Sequence, residues 1–565
     1  MNYILLYFSA FLITFSIIGH GYILSNIINK DLIKLNIGYQ GLFGILSLTI
    51  ISYTTIFFIK HGYTHNLILH GIGIFSFIYF FKEKKNYSEI YKLFLIFSVF
   101  FIGLLIIRNH DDFNYYHLTY SLGLTENKIL FGLGNFQHGY KHHSSLFFFN
   151  SIIFLPFIKF YLFHSLGWFT LIFANYLIIK YLLFSKIKEL NFEYFFYLIT
   201  LLFINFKFFR MGGYGTDVSG QIILLVIFPL IFSSLNLKVN DPKLKINISI
   251  IILMIAYSAT LKSFFILSFL FLFIFLFFFK FKKIMNIFIF SRTFLIATYT
   301  ILLLVFVNFA YTGCAIYPIK QTCLSSQLSW SLEKDHVEKM NNWYQVWSKA
   351  GAGITYRADN LNEYTKKFNW VKNWYERYFV YKVKETIFGI LFLLILHLIL
   401  FKGTNKEKPD KKNTKIFYAL FFFSLILFSE WFYNHPALRY GGYYLLSIIF
   451  FAPVSYYLSK KKIFYINKKK TIISLIILSF ALFNLKNLSR IKEEFKIVKK
   501  NNFPLFYIPN QYFEEIELEE NIKVYLPEEG DGCWVTKTPC VSGYKDVFAK
   551  KKFGYTIFVS KNKLN

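Results

Sequence analysis

Two adjacent carboxylates, Asp111 and Asp112, stand directly after an apolar run that ends at residue 107. A carboxylate at a membrane boundary is partly removed from water, which raises its pKa and suits it to work as a general base. The pair could equally be solvated charges that end a helix. The aromatic and imidazole side chains beside the pair could contact a substrate; they are His110, Tyr115, Tyr116 and His117.

A second polar stretch, KHHSS from Lys141, holds His142 and His143 as further candidates for substrate contact. His138 lies four positions before His142, a spacing that would put both on one face of a helix and let them bind a metal. Gly139 and the lack of a helical pattern argue against such a helix, so we predict no metal ligands here. A divalent cation is the one cofactor that the sequence leaves open.

A third stretch runs from Arg210 to Asp217 and contains three glycines, which would let backbone N–H groups approach a phosphate closely. Arg210 could bind the same phosphate. Asp217 stands just before the next apolar run and is a candidate for substrate binding, but its side chain could instead cap that helix. Both interpretations of Asp217 remain open.

A lysine and an arginine occupy two further polar turns. Lys262 joins two apolar runs, where a lysine is costly unless it snorkels or finds an anion. Arg439 offers a planar fork of donors that suits phosphate. We predict that both bind a donor phosphate. Tyr440 is a candidate substrate contact, and so is Glu430, which lies within an apolar run and by default faces the protein interior.

The elements that must position these residues are membrane-spanning helices. Apolar types make up 55% of the 565 residues, charged types only 16%, and the mean hydropathy is +0.44. A soluble domain carries about 25% charged residues, so an ordinary soluble enzyme is excluded. Since a span needs about 20 apolar residues, we predict an all-α polytopic membrane protein with about 13–14 transmembrane helices. The apolar runs are 3–25, 39–59, 64–81, 90–107, 163–184, 191–209, 218–236, 246–261, 263–280, 290–310, 385–401, 414–433, 440–458 and 471–487.

Short lysine-rich loops separate many of these runs, as is typical of the cytoplasmic side. Segment 144–160 is also apolar, but an additional full crossing there would not fit the alternation of the loops between the two sides. We predict that it is an interfacial or re-entrant helix, because Pro156 and Lys159 interrupt it; the alternative is a full span. The net charge of +31 follows the lysine-rich loops, so nucleic acid is not an expected partner. Placing those loops inside puts the polar stretches outside, in loops 108–143, 210–217, 311–384 and 434–439.

Four cysteines test this sidedness independently. They form two local pairs, Cys314 with Cys323 and Cys533 with Cys540, and all lie in segments placed outside. We predict two disulfides in an oxidising compartment, since four unpaired thiols would not explain why none lies inside. The tail 488–565 is predicted to be a small extracytoplasmic α/β appendage. The expected location is the cell (inner) membrane, with the active site facing the extracytoplasmic side.

The order of the motifs resembles that of the GT-C superfamily of integral-membrane glycosyltransferases, which includes the protein mannosyltransferase and aminoarabinose transferase types. The acidic pair followed by Tyr115 matches the start of that family's first outer loop. Asp217, 105 residues after Asp112, matches its second acid. The family's Thr-Lys pair at an outer turn has an altered form here, Thr260-Leu-Lys262. The family's late Pro-x-x-Arg-Tyr motif is matched by Pro436-Ala-Leu-Arg439-Tyr440.

The resemblance covers about residues 90–460, and we assign 90–487 to a GT-C-like catalytic region with 1–89 as additional N-terminal helices. The Pro-Pro that often follows the first loop in that family is absent. The resemblance implies a polyprenyl-phosphate sugar donor, a glycan, lipid or protein acceptor, and an inverting displacement. Asp111 or Asp112 would be the base, Lys262 and Arg439 would bind the departing phosphate, and Asp217 and the histidines would orient the substrates. The alternatives are a transporter or flippase for a lipid-linked sugar and a membrane scaffold without chemistry.

Overall fold

The computed structural model of the chain describes residues 2–84, 87–106, 112–211, 216–289, 291–353, 356–406, 410–498, 511–530 and 532–561. The N-terminal helices pack so tightly that only glycine fits between them. A Cβ on Gly19 would lie 1.8 Å from the carbonyl oxygen of Gly73, and one on Gly44 would lie 1.7 Å from that of Ile17. Small residues allow such close approach of helices in membranes. The helices of this part are α1 (Tyr3–Ile28), α2 (Lys30–Ile33), α3 (Ile37–Thr55), α4 (Tyr63–Lys84) and α5 (Tyr87–Phe100).

The middle of the chain supplies the most deeply buried helices. All eight residues of Ser145–Ile152 are buried, and a helix of eight residues is only about 12 Å long. Segment 144–160 therefore does not cross as a helix, and its helix lies inside the protein rather than at a membrane interface. The helices here are α6 (Leu118–Glu126), α7 (Ser145–Ile152), α8 (Leu166–Phe184), α9 (Phe192–Lys207), α10 (Val218–Asn236) and α11 (Pro242–Leu261).

The last part of the bundle mixes long apolar helices with short ones in the loop between α14 and α18. Its helices are α12 (Leu270–Phe278), α13 (Phe281–Ile289), α14 (Arg292–Thr312), α15 (Lys334–Ser348), α16 (Leu361–Thr365), α17 (Val371–Trp374), α18 (Lys384–Leu400), α19 (Lys411–Asn434), α20 (Gly442–Ser459) and α21 (Tyr465–Val498).

Within the described residues, 12 helices are long and apolar enough to cross a membrane, which fits a multi-pass membrane protein. We predicted about 13–14, and two runs account for the difference. Run 191–209 forms α9, which has only 16 residues. Run 263–280 forms a 3-10 helix, Ser263–Phe269, followed by the nine residues of α12. Both are shorter than the about 20 residues of a typical span, although α9 still runs from the end that holds Ile463 to the end that holds Lys207.

The predicted cytoplasmic loops meet at one end of the bundle. Strands β1 (Thr404–Asn405) and β2 (Lys461–Lys462) pair antiparallel, with Thr404 opposite Lys462. The backbone N–H of Leu190 donates to the carbonyl of Ile463 at 2.9 Å, so the loop after α8 joins the same group. These lysine-rich loops therefore share one end, as the topology requires.

The predicted tail 488–565 begins with the last residues of α21, and its other described residues form two antiparallel hairpins. The first hairpin pairs β3 (Phe513–Leu518) with β4 (Ile522–Pro527), and the second pairs β5 (Val547–Lys552) with β6 (Tyr555–Ser560). The hairpins are not separate from the bundle. Phe131 exchanges backbone hydrogen bonds with Thr556 and Phe558 at 3.0 and 2.8 Å, so the second hairpin is anchored on the first long loop.

Candidate active site

One carboxylate and two cations from three separate motifs meet in an ion cluster. Lys262 Nζ lies 2.9 Å from Asp217 Oδ1, and Arg439 Nε lies 3.4 Å from Asp217 Oδ2. The side chain of Asp217 is 7% exposed, against 23% for Lys262 and 31% for Arg439. The carboxylate is therefore the buried centre of the cluster, and the cations face outward from it.

Three helix ends bring these residues together. Asp217 directly precedes α10, Lys262 directly follows α11, and Arg439 lies in a 3-10 turn, Leu438–Tyr440, that leads into α20. Apolar helices end where polar residues begin, so these charges share one end of the bundle. Asp217 occupies the N-cap position of α10 but makes no capping hydrogen bond with its side chain. The interpretation of Asp217 as a helix cap is therefore wrong, and its carboxylate forms ion pairs with the two cations instead.

The neighbouring charges shift the pKa values of Asp217 and Arg439. Burial alone would raise the pKa of Asp217, but the charges of Lys262 and Arg439 outweigh it and lower that pKa. Burial would likewise lower the pKa of Arg439, and the charge of Asp217 reverses this and raises it. Asp217 therefore stays a carboxylate, and the formal charges of the three side chains give the cluster a net charge of +1.

The fork of Arg439 is only partly used. Among the described residues its Nε donates to Asp217, and neither terminal nitrogen has a hydrogen-bond acceptor. An arginine fork with unused terminal N–H groups matches the oxygens of a phosphate. The geometry therefore leaves donors of Arg439, next to Lys262, without an acceptor in the described part of the chain.

Two indoles and a tyrosine fix the turn that carries Arg439. Trp374 Nε1 donates to the carbonyl of Pro436 and Trp431 Nε1 to that of Ala437, both at 3.0 Å. The backbone N–H of Leu438 donates to the hydroxyl of Tyr378 at 2.9 Å. The main chain before Arg439 is thus held on both sides, which limits the positions that the guanidinium can reach.

Aromatic rings flank both cations. Lys262 Nζ lies 4.4 Å from the ring centroid of Tyr440, and Arg439 Cζ lies 5.6 Å from that of Trp347. Cations over ring faces are attracted by the ring quadrupole. Trp347 belongs to α15 in the loop 311–384, and sequence reasoning missed it because that loop holds many aromatic residues without a distinguishing spacing.

Gln221 was also missed. It lies one helical turn after Asp217, and its Nε2 donates to the carbonyl of Arg439 at 3.4 Å while its Oε1 accepts from the N–H of Tyr444 at 3.1 Å. It therefore ties α10 to the start of α20. A polar side chain inside an otherwise apolar run was the available signal.

The first loop reaches the ion cluster. Asp112 lies close enough for its charge to act on Tyr116, His142 and Arg439. Tyr116 is buried, and burial together with the charge of Asp112 raises the pKa of its hydroxyl. The ring of Tyr116 packs on Gly139, where a Cβ would lie 2.3 Å from the ring. Asp111 and His110, the other predicted residues of this motif, lie outside the described residues.

A chain of histidines and tyrosines lies beside Asp112. His142 Nε2 and His138 Nε2 are 3.0 Å apart, and the hydroxyl of Tyr344 lies 3.2 Å from His138 Nδ1. Burial and the charge of Lys141 lower the pKa of His138 to about 4, and burial first and the charge of His138 second lower that of His142 well below its usual range. Both imidazoles are neutral near pH 7. No group of three or more metal-ligating side chains occurs among the described residues.

Other predicted site residues lie apart from the ion cluster. His143 Nε2 pairs with the hydroxyl of Tyr53 at 2.7 Å in the helix core. Glu430 Oε1 accepts from Asn434 within α19. Arg210 lies beside the ring of Phe209, not beside Asp217. Of the remaining predicted contacts, Tyr115 and His117 pack on the ring of Tyr116, and Tyr440 lies between the two cations.

A third cation near the site was not predicted. Lys349 is only 1% exposed, and its Nζ lies 5.2 Å from the ring of Trp370 and 5.4 Å from that of Tyr433. Burial lowers its pKa to about 8. Its charge and that of Lys262 both act on His435, whose pKa burial and these charges lower to about 4. Among the described residues no carboxylate pairs with Lys349, so the positive potential here exceeds that of the ion cluster alone.

Both disulfides lie at this end of the bundle. Cys314 bonds Cys323 and Cys533 bonds Cys540. The carbonyl of Cys540 accepts from the hydroxyl of Tyr140 at 2.7 Å, and the N–H of Trp534 donates to the carbonyl of Asn114 at 3.0 Å. The tail loop between Cys533 and Cys540 therefore braces the loop that carries Asp112 and Tyr116.

Comparison with known proteins gives one match. No curated protein and no solved structure matches the chain. The family model described as "Domain of unknown function (DUF8201)" matches residues 1–446. That stretch contains Asp217, Lys262 and Arg439 and ends within α20, before the disulfide-bearing tail. Because it covers more than half of the 565 residues, the chain belongs to this family.

Proposed function

We propose that the protein is a membrane glycosyltransferase that moves a sugar from a polyprenyl-phosphate donor to an acceptor at the extracytoplasmic membrane face. The observation that carries the proposal is the pair of cations, Lys262 and Arg439, held by buried Asp217 with the arginine fork partly unused. A phosphate is the ligand that such a fork and an adjacent ammonium bind best.

The reaction would be an inverting displacement. The acceptor oxygen forms a bond to the anomeric carbon, the bond from that carbon to the phosphate oxygen breaks, and the acceptor proton passes to a carboxylate. Inversion requires base and leaving group on opposite sides of the sugar. Lys262 and Arg439 would stabilise the charge that grows on the departing phosphate.

Asp111 or Asp112 would be the base. Asp112 is the described member of the pair, and its charge reaches Arg439, Tyr116 and His142. Asp217 is a poor base because both of its oxygens face cations and its pKa is lowered. We assign it to holding Lys262 and Arg439 in position, a more specific role than the substrate contact predicted from sequence.

The extracytoplasmic orientation rests on two observations. Both disulfides lie at the same end as the ion cluster, and disulfides persist in oxidising compartments. The lysine-rich loops that meet at β1 and β2 mark the other end, as expected for a cytoplasmic face.

Transfer of label from a synthetic polyprenyl-phosphate sugar tests the proposal, with membranes of a strain lacking the protein as the acceptor source. The Asp111→Asn/Asp112→Asn double variant should lose about 10²–10⁴ in rate while it still binds the donor, because Asn keeps the shape but cannot take the proton. Asp359→Asn, an exposed exchange in the loop between α15 and α16, is the matched control. Full transfer by the double variant would rule out this mechanism and favour the transporter alternative.

A further inference from the structure

A second group of cations lies where α9 ends against α21. It consists of Lys207, Arg210 and Lys486, with Arg490 behind them, and is called the basic cluster below. Three of these charges surround one ring, that of Phe209. Lys486 Nζ lies 4.7 Å from its centroid, and the guanidinium carbons of Arg210 and Arg490 each lie 5.8 Å from it.

The partners of Lys207, Arg210 and Lys486 leave most of the charge of these three residues uncompensated. The charges of Glu493 and Glu494, by contrast, act on Arg490. Lys486 Nζ donates to the carbonyl of Phe206 at 3.1 Å, and Lys207 Nζ donates to the hydroxyl of Thr386 at 3.3 Å. Both acceptors are uncharged. In the described part of the chain, Lys207, Arg210 and Lys486 form no ion pair with a carboxylate, although the charge of Glu385 acts on Lys207.

The end of α9 explains only part of this arrangement. A helix C-terminus carries about half a negative charge, which the ammonium of Lys486 on the carbonyl of Phe206 already matches. Arg210 still lies close enough to repel Lys207, Lys486 and Arg490. Like charges gathered in this way are unfavourable unless an anion joins them.

The position along α21 places the basic cluster at a membrane boundary. Lys486 follows Lys469 by 17 residues in the same helix, a rise of about 26 Å. The hydrocarbon core is about 30 Å thick, so lysines this far apart along one helix sit near its opposite faces. The basic cluster therefore lies at the depth of lipid headgroups, where cations between helices recognise lipid phosphates.

Tyr443 connects this position to the candidate active site. Lys207 Nζ lies 4.6 Å from the centroid of its ring, and the charges of Asp217, Arg439 and Arg210 all act on its hydroxyl. An anion in the basic cluster would therefore lie next to the ion cluster without sharing its cations.

We propose that the basic cluster is a second anion site, which binds the phosphate of a membrane lipid headgroup beside the candidate active site. The site does not depend on sugar transfer. The chemistry is that of a phosphate ester, carried either by a lipid or by a soluble molecule.

Lipid retention by the purified full-length protein, measured by native mass spectrometry, tests the proposal. The probes are phosphatidylglycerol, phosphatidylcholine and soluble glycerol 3-phosphate. The wild type should retain phosphatidylglycerol in preference to phosphatidylcholine. The Lys207→Gln/Lys486→Gln double variant should lose about thirtyfold of that preference, because each cation near the surface accounts for about fivefold. The single variant Arg210→Gln, at an exposed residue, should lose about fivefold of the preference for phosphatidylglycerol. It still tests the site if the double variant fails to fold.

The matched control is the Lys243→Gln/Lys245→Gln double variant, which removes two lysines from the start of α11, at the end opposite Lys262. It should retain phosphatidylglycerol as the wild type does. Displacement of the lipid by glycerol 3-phosphate only at millimolar concentration would support a lipid source, and displacement at the concentration of the lipid would support a soluble phosphate ester. Equal retention of both lipids by the wild type, or unchanged preference in the Lys207, Lys486 and Arg210 variants, would overturn the site.

Discussion

The two ends of α8 each lie beside one carboxylate with two cations, but the two clusters are built differently. Near the end of α8, Glu89 Oε1 pairs with Lys180 at 2.5 Å and Lys92 at 3.3 Å, while Glu89 Oε2 accepts from the hydroxyl of Tyr176. Near its start, Gly167 packs beside Ser219, two residues after Asp217. The group of Glu89, Lys92 and Lys180, called the Glu89 cluster below, therefore lies about 20 Å along the helix from the ion cluster, called the Asp217 cluster in this comparison.

The difference lies in unused donors and in the elements that supply them. The Glu89 cluster is built from residues within helices, and the ring of Phe184 covers both of its lysines, at 4.2 and 5.1 Å. The Asp217 cluster is built from helix ends and a turn, and Arg439 keeps terminal nitrogens without acceptors among the described residues. Charge composition alone does not distinguish the two clusters, whereas the unused donors at helix ends set the Asp217 cluster apart.

Removal of the central carboxylate should separate the two clusters most clearly. Asp217→Asn and Glu89→Gln should each destabilise the protein by about 3 kcal/mol, because each leaves two cations without their buried partner. Asp217→Asn should also lower sugar transfer about a hundredfold, since Lys262 and Arg439 lose their fixed positions. Thermal unfolding and transfer rates would be measured on both variants. A similar loss of transfer in both would contradict the distinction.

Exchange of one cation should give a smaller effect. Arg439→Lys keeps the charge but loses the fork, so donor affinity should fall about tenfold, and the rate at saturating donor should fall as well because the fork also faces the departing phosphate. Lys180→Arg is the matched reverse exchange in the Glu89 cluster and should leave donor affinity unchanged. Titration of each variant with a polyprenyl-phosphate sugar checks this. Wild-type affinity in a well-folded Arg439→Lys variant would remove Arg439 from the donor site.

The flanking rings should matter less than the charges. Trp347→Leu removes a ring face from Arg439, a contact worth about 0.5–1 kcal/mol, so donor affinity should fall about two- to fivefold. Phe184→Leu removes the corresponding ring from Lys92 and Lys180 and should not affect donor binding. The same titrations apply, and equal effects of the two exchanges would show that the rings act only through stability.

The smallest expected effect is the contribution of His138 to the pH dependence of stability. Burial and Lys141 lower the pKa of His138 to about 4 in the folded protein, against about 6.5 in the unfolded chain. The unfolded chain binds the proton first, so stability from this group is lost as pH falls from 6.5 towards 4. His138→Gln should reduce the loss of melting temperature between pH 7 and 5 by about 2 °C. An unchanged or steeper loss would contradict this assignment.

Most of the helices and three of the site residues could be predicted from the sequence, because both depend on local signals. Long apolar runs end where polar residues begin, which puts Asp217, Lys262 and Arg439 at helix ends before any contact is known. Contacts between distant segments left no such signal. Arg210 and Lys486 meet around one ring although 276 positions separate them, and Trp347 enters the site from a loop without a distinguishing pattern.

The number of long apolar helices is lower than the predicted number of spans for a physical reason of another kind. The run after Lys262 begins as a 3-10 helix, and α9 is about a turn shorter than a typical span, details that apolar composition does not report. The sequence predicts the tail only as a small α/β appendage and does not predict which strands pair, since their alternation is weak. Their anchoring on Phe131 joins residues more than 400 positions apart.

The anchoring of the tail on the first loop has a consequence for biosynthesis. Asn135 donates to the carbonyl of Phe558 at 3.2 Å, across a separation of 423 residues, and the first loop leaves the ribosome long before that partner exists. Chains are made at about 5–20 residues per second, so the first loop waits for tens of seconds after its own helices have been inserted. During that interval Asp112 and Tyr116 lack their brace from Cys533–Cys540. The proposed activity is therefore expected to be absent until the tail has crossed the membrane and Cys533 and Cys540 have been oxidised.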